Sequence, residues 1–384
     1  MTLISAVGQA QALDGREAGL QAAHAALNRL KATSPHFGIV IASHQYQPRE
    51  VAAGVASLTG DMPLIGFSAP AGLTNDGIHP HSVVVALLHG DLRAEVHWLP
   101  GYTQSGRETA NRLVQLTSSG AARQSLLFFA DGFNGDAEQL CNNLPSHSML
   151  VAGGLSSGDT HTGSNYQIAG AQAGTGGLAA AILRGSARLG IGYAHGWDPV
   201  GSQLRVTRSR GFWLRTLDGR PASETYAQIF GYPARDWAFP PLNYLARLYP
   251  LGIEQDNQMI VRAPLRVEAD GSFRLNAPVR DGLDAYLLVG SRAACLEAAR
   301  KAAREALLQL GDAKPAFALV LVDQAWQMLL KSTPGAEIAA VQEIIGAETP
   351  IAGGYTLGQI VPSSAALKFL NQHILVAVFG EEQN

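Results

Sequence analysis

The chain has 384 residues, of which 47% are hydrophobic and 15% charged, and its formal net charge is -3. That composition excludes a disordered chain, and the absence of a basic run excludes a main role on nucleic acid, because phosphate neutralisation needs clustered Lys and Arg. The length exceeds what one core usually serves, so two domains or two halves sharing an interface are expected.

The opening "MTLISAVGQAQALDGREAG" lacks the basic start and long apolar core of a signal peptide. No apolar run reaches the roughly 18 residues that a membrane helix needs. Cys141 and Cys295 are too few and too far apart for a disulfide framework or a zinc site. The expectation is a cytoplasmic protein with neither membrane nor nucleic-acid partner.

From the start, the elements come in a pattern that repeats. "LISAVG" reads as a strand and "GREAGLQAAHAALNRLK" as a helix. "PHFGIVIAS" at 35–43 is the next strand, followed by a helix-like segment, then "DMPLIGFSAPAGL" and "HSVVVALLHG". The second pass is "AEVHWLPG", "GRETANRLVQLT", "RQSLLFFADGF" at 123–133, "GDAEQLCNNL", "SMLVAGGLSSGDT" and "YQIAGAQAGTGGLAAAILRG". Residues 185–284 then break the pattern. "LGIGYAHGWDPVG" and "QLRVTRSRGFWLRTLDGRPAS" read as strands, with turns at Gly-Trp-Asp-Pro and at Asp218-Gly219. The arginines Arg205, Arg208, Arg210 and Arg215 alternate as on a solvated strand face. "SETYAQIFG" reads as a short helix capped by Ser223 or by the turn before it, and Asp270-Gly271 is a hairpin signal. The third pass is "AYLLVGS", "ACLEAARKAAREALLQL", "PAFALVLVDQA" at 315–325, "GAEIAAVQEIIG", "TPIAGGYTLGQI" and "HILVAVFG". In its first helix, Cys295, Ala298, Ala299, Ala302 and Ala306 are spaced for one buried face. The fold class is therefore α/β, with mixed parallel/antiparallel sheets flanked by helices. It is built from about three pseudo-repeated β-α-β-α-β-β units in two domains, 1–215 with two units and 216–384 with the hairpin region and the third.

Several of these stretches together resemble the FIST family of bacterial sensory domains, in its N-terminal and C-terminal parts. They are "PLIGFSAPAGL", "GWDPVGSQLRVTRSRGFWLRTLDGRPASETYAQIFG", "PLGI" with "VRAPLRVEADGSFRLNAPVRDG", and "GGYTLGQIVP" with "FLNQHILVAVF", over roughly residues 35–375. The resemblance implies a sensor that binds a small polar ligand, an amino acid or related metabolite. Its signal would pass to a separate protein such as a histidine kinase or a cyclic-nucleotide signalling enzyme. It also implies an alternative, since some relatives bind haem and sense nitric oxide through a histidine kinase. A ligand-free interaction scaffold is the third reading. Where the family's first bend usually carries a cysteine and an acidic residue, this chain has Phe67 and Leu73, and the C-terminal Gly-Glu is Gly358-Gln359.

The residues themselves suggest where a ligand would sit. Glycine-rich bends at strand ends let a ligand approach the backbone, and unpaired N–H groups beyond the last ladder bond would line a cleft. Ser68, Ser156, Ser157, Gly354, Tyr355, Thr356, Gln359 and Asn371 would line it, and Arg262 would clamp a carboxylate. The bland alternative is that the bends only turn the chain. For haem, His79, His81, His97 and His195 are the candidate ligands; no metal site is expected. Trp197 and Asp198 read as a turn packed on the indole. "GLSSG" has the G-x-S-x-G string, but a polar loop follows where a nucleophile elbow needs a helix. "LGIGYAHG" nearly matches a dinucleotide fingerprint, but Trp197-Asp198-Pro199 stands where a helix should start. Catalysis is not expected.

Overall fold

In a computed structural model of the protein, residues 2–31, 34–117, 124–145, 149–255, 258–363 and 366–381 are described. Three six-stranded sheets carry the repeat. In the first, the order is Ile4–Ala10, Val83–His89, Phe37–Ser43 and Leu64–Ala69. The second has Leu92–Leu99, Leu178–Gly185, Gln124–Asp131 and Leu150–Ser156 in the same places. The third has Arg188–Ala194, Ile374–Glu381, Lys314–Asp323 and Ile351–Thr356. Only the last two strands of each set run parallel, as their helical crossovers require.

Each sheet is completed by its neighbour. Hairpin Gln167–Ala169/Gln172–Gly174 of unit 2 pairs with Leu64–Ala69 of unit 1. Hairpin Gln359–Pro362/Leu367–Leu370 of unit 3 pairs with Leu150–Ser156 of unit 2. Hairpin Ala71–Thr74/Gly77–Pro80 of unit 1 pairs with Ile351–Thr356 of unit 3. The exchange closes a ring with pseudo-threefold symmetry, and it removes three sheet edges that would otherwise be open. The turn after each hairpin repeats too: His81, Gly176 and Gln372 stand at equivalent places with φ of 51°, 70° and 58°.

The inner faces of the three sheets share one core. It includes Ile41, Phe67 and Val84 from unit 1, Leu127 and Phe129 from unit 2, and Phe317, Leu319 and Phe379 from unit 3. Phe67 and Phe129 meet across the axis with ring centroids 4.3 Å apart. Each such side chain, removed from water, contributes about 1.5–3 kcal/mol. The outer face of each sheet is covered by its own helices, as where Ala18, Ala22 and Ala26 of Gly15–Arg29 pack beneath Val85 and Leu87.

Unit 3 differs from the sequence reading in one respect. Its leading strand is Arg188–Ala194, not the "AYLLVGS" segment, so the pattern-breaking stretch is an insert inside the unit. Glycine decides this: a Cβ on Gly190 or Gly192 would come within 2.0 or 1.9 Å of the Ala306 or Ala302 carbonyl of helix Arg292–Leu310. A Cβ on Gly8 of unit 1 would stand 2.2 Å from the Ala22 carbonyl in the same way. Strand Asp284–Gly290 pairs instead with Trp197–Arg210 and Leu251–Gln255 in the insert's sheet. The insert has its own core around Tyr226, Trp237 and Phe273. Asp218 and Gly219 turn its chain with φ of 51° and 79°, the two positive values that a tight hairpin needs. Ser223 does not cap helix Ala222–Phe230, because that helix begins one residue earlier behind Pro221. Trp197 and Asp198 open a strand rather than a turn.

Candidate functional site

Ser43, Asp131 and Asp323 end equivalent strands of the three units, so the three parallel strand pairs end at the same side of the ring. Asp131 and Asp323 act as caps there. Asp131 accepts from the N–H of Phe133, Asn134 and Gly176, and Asp323 from Ala325 and Gln372.

The period of two aims Ala69, Ser156 and Thr356 inward at this side, since Ala152 and Ala352 on the same strands belong to the shared core. Thr356 Cγ2 lies 3.3 Å from where a Cβ of Gly154 would stand. Gln359 sits opposite Gly154 on one side and Leu370 on the other. Its amide donates to Thr356 Oγ1 at 2.8 Å and accepts from the His373 N–H at 3.3 Å. Gln167 occupies the equivalent place in the unit 2 hairpin. Ser157 Oγ lies 3.0 Å from Gln324 Oε1, and Ser68 Oγ donates to the Ser157 carbonyl at 2.8 Å.

These residues form a buried polar ring. Ser68, Ser156, Ser157, Gln167, Thr356, Gln359, Asn371 and Gln372 all have 0% exposure. Several of their atoms have no partner in the protein: Ser156 Oγ, Gln167 Oε1, both amide atoms of Asn371, and Gln372 Oε1. Buried polar atoms are paired in the large majority of cases, so each of these atoms calls for a partner that the protein itself does not supply. His373 packs at the rim with its ring centroid 4.6 Å from that of His195. Burial, with His195 beside it, pushes its pKa down to about 3, so the ring is neutral.

The insert covers this side. The Gln372 amide donates to the Arg247 carbonyl of helix Leu242–Leu248 at 2.5 Å, and Trp197 Nε1 donates to the Leu248 carbonyl at 3.2 Å. Tyr244 meets His161 of unit 2, Asn276 Nδ2 donates to the Leu357 carbonyl, and Arg274 donates to that of Phe133. Helix Leu242–Leu248 is therefore a cap on the ring.

The structure thus brings Ser68, Ser156, Ser157, Gly354, Thr356, Gln359 and Asn371 to one end of the axis, with Ser68, between the inward Phe67 and Ala69, on the outer face of its sheet. Three expectations need correction. The strand ends are not an open cleft with free N–H groups, because the exchanged hairpins take them: Ser68 N pairs with the Tyr166 carbonyl, Leu155 N with Gly358 and Leu357 N with Leu155. Tyr355 points the other way, under the unit 3 helices, where its hydroxyl donates to Glu337 at 2.5 Å. Arg262 is no clamp, since it is paired with Glu138 of unit 2. Burial lowers the Arg262 pKa and raises that of Glu138 despite the pairing.

The histidines lie on separate elements. His79 Nε2 is bonded to Thr74 Oγ1 at 2.7 Å, and burial lowers its pKa. His81 is exposed in a turn. His97 lies on strand Leu92–Leu99 with Nε2 buried and unpaired. His195 packs on His373 and accepts from Trp197 N. Each of the four thus stands in different surroundings. No group of three metal-binding side chains occurs among the described residues, and none of their helices is long and apolar enough to cross a membrane. A surface groove of about 800 Å³ on the insert is lined by Arg210, Trp213, Arg215 and Arg266 among others, none of them among the candidate site residues.

Arg247, Gln167, Gln372 and His373 were not among the sequence candidates. A signal existed for the first hairpin: Gln167 and Gln359 hold the same position after two successive glycine bends.

The chain matches the FIST N domain over residues 36–220 and the FIST C domain over 222–362. No curated protein matches it. Among solved structures, a cyanuric acid hydrolase from A. caulinodans is similar at 13% identity and a TM-score of 0.26, over 48% of this chain and 71% of that one. A second cyanuric acid hydrolase, described as an innovation by structural concatenation, is similar at 6% identity and a TM-score of 0.37, over 98% and 100%. Likenesses of that size carry no chemistry across to this chain.

Proposed function

We propose the following from the premise that this chain belongs to the FIST family, whose domains are small-ligand sensors in signal transduction. The protein takes a small polar metabolite into the buried polar ring, works without catalysis, and passes its state to a separate signalling protein. The observation that carries this reading is the set of orphan atoms on Ser156, Gln167 and Asn371 at 0% exposure. The insert supplies the transmitter. It closes on units 2 and 3 through Arg247, Tyr244 and Asn276, and a ligand that binds better under the closed cap shifts the cap's equilibrium by that difference in affinity.

A thermal-shift screen of amino acids and other small polar metabolites tests it, with wild type run beside the double variant Ser156→Ala/Asn371→Leu. A compound that raises the melting temperature of wild type and not of the variant is the expected result. Compounds that shift both alike, or none that shift wild type, would overturn the site.

A further inference from the structure

We propose that Arg247 is the anion clamp of this site, so that the ligand carries a carboxylate or another small oxyanion. The inference rests on the reading above. Arg247 has 5% exposure, and burial pulls its pKa below the usual arginine value. A guanidinium taken out of water costs several kcal/mol unless an anion and hydrogen bonds compensate it. Among the described residues, its side chain makes neither an ion pair nor a hydrogen bond; only its backbone carbonyl is engaged, by Gln372.

The other buried arginine of the insert shows the contrast. Arg262 is as deeply buried, at 4%, and has Glu138. Arg247 has the field of Asp323 and of Tyr244 without an ion pair to either, and each Asp323 oxygen already accepts one backbone N–H, from Ala325 and from Gln372. Burial raises the pKa of Asp323, against the bonds from Ala325 and Gln372 and the charge of Arg247.

The surroundings favour an oxygen anion over other ligands. One residue before the Gln372 that holds the cap helix stands Asn371, with a donor and an acceptor both unpaired. The planar guanidinium offers two parallel N–H bonds to a carboxylate or phosphate, and on this proposal the unpaired Asn371 amide supplies a further donor to the same ligand. A cationic ligand would add to the charge of Arg247, and an apolar one would leave it uncompensated. Because Arg247 belongs to the cap helix and Asn371 to the ring, an anion held by both joins the two.

The test uses the full chain, with calorimetry and thermal shift at fixed ionic strength. The probes are sodium acetate, succinate, inorganic phosphate and, as neutral control, acetamide. Wild type is compared with Arg247→Met, Arg247→Lys and Arg235→Met, the last an exposed arginine of the same insert. At least one anion is expected to bind wild type saturably while acetamide does not, and the acetate and phosphate arms tell the two chemistries apart. Arg247→Met is expected to lose at least tenfold in affinity, Arg247→Lys part of that, and Arg235→Met nothing. Without ligand, Arg247→Met is expected to melt at or above the wild-type temperature, because an uncompensated buried charge is gone. A clearly lower melting point for it, or undiminished anion binding, would make Arg247 a structural partner of Asp323 and end the proposal. A neutral metabolite whose binding depends on Ser156 and not on Arg247 would overturn the clamp and leave the site; no binding at all to wild type would overturn both.

Discussion

Replacing Tyr355 by Phe separates a structural from a ligand-binding role in the glycine-rich segment "TPIAGGYTLGQIVP". The tyrosine hydroxyl donates at 2.5 Å to Oε1 of Glu337, a residue with 0% exposure whose other oxygen has no partner in the protein. Without the hydroxyl, both oxygens of a buried carboxyl stand unpaired. A hydrogen bond to a charged group is worth about 1.5–3 kcal/mol, so a loss of about 2 kcal/mol is expected at pH 7.5. Burial already raises the Glu337 pKa above 4.5, and the tyrosine bond opposes that rise. An acid with a raised folded pKa gives stability that is full below its unfolded value and is lost as pH rises through the folded one. Losing the tyrosine raises the folded pKa further, so the penalty of Tyr355→Phe should shrink as pH falls toward 4.5. Urea unfolding followed by circular dichroism at pH 5 and pH 7.5 measures both effects, with an unchanged slope showing that only stability moved. An unchanged midpoint combined with tenfold weaker metabolite binding would place Tyr355 in the site and refute the reasoning.

Two further outcomes follow from the same contacts. Glu138→Ala leaves Arg262 buried without its partner and should cost roughly 3 kcal/mol in the urea midpoint, the low end for a broken buried pair because Glu138 keeps some solvent contact. His373 has its pKa pushed down to about 3, so its contribution to stability is full above 6.5 and is lost as pH falls below that value. His373→Gln should therefore weaken the acid sensitivity by up to about 1.4 kcal/mol per pH unit between pH 6.5 and pH 4, read as the difference from wild type in urea midpoint against pH.

The repeat was legible because each unit writes the same period changes into its residues. Apolar runs such as "GIVIAS", "LLFFAD" and "LVLVD" are too short for helices, and each stands before a helical segment. The exchange of hairpins was not legible, because "PAGLTNDGIHP" pairs as well with its own unit as with another, and only the three-dimensional ring decides. The insertion point was misread for a related reason. "RLGIGYA" and "AYLLVGS" are equally strand-like, and what separates them is that Gly190 and Gly192 can lie against Ala306 and Ala302. For the candidate site, serines and amides after the glycine bends were named from local chemistry alone. Arg247 was not, since a lone arginine in "LARLYP" differs in nothing local from a surface one; its burial depends on a helix folding back over a turn 125 residues away.

The glycines of "TPIAGGYTLGQIVP" serve an approach, but of protein to protein. A Cβ on Gly353 would stand 2.0 Å from the Val320 carbonyl, and one on Gly354 would stand 2.7 Å from Ile41 Cγ2 of another unit. Gly353 lets two strands of one sheet lie close, and Gly354 lets the sheets of units 1 and 3 converge where a side chain would hold them apart. Convergence has a chemical consequence. The backbone groups at the strand ends are consumed in joining the units, through Ser157 N to the Ser68 carbonyl and Leu357 N to the Leu155 carbonyl. On the proposed reading, recognition at the axis is then left to side chains: hydroxyls and amides, with the guanidinium of Arg247 on the cap helix. Neutral groups can stay buried at modest cost when no ligand is there, whereas an uncompensated charge is costly in the same place. A sensor needs its two states to differ in free energy by an amount a ligand can reverse. On the proposed reading, the strain of one buried arginine on the cap, relieved by an anion held from the ring, is the difference that the ligand reverses.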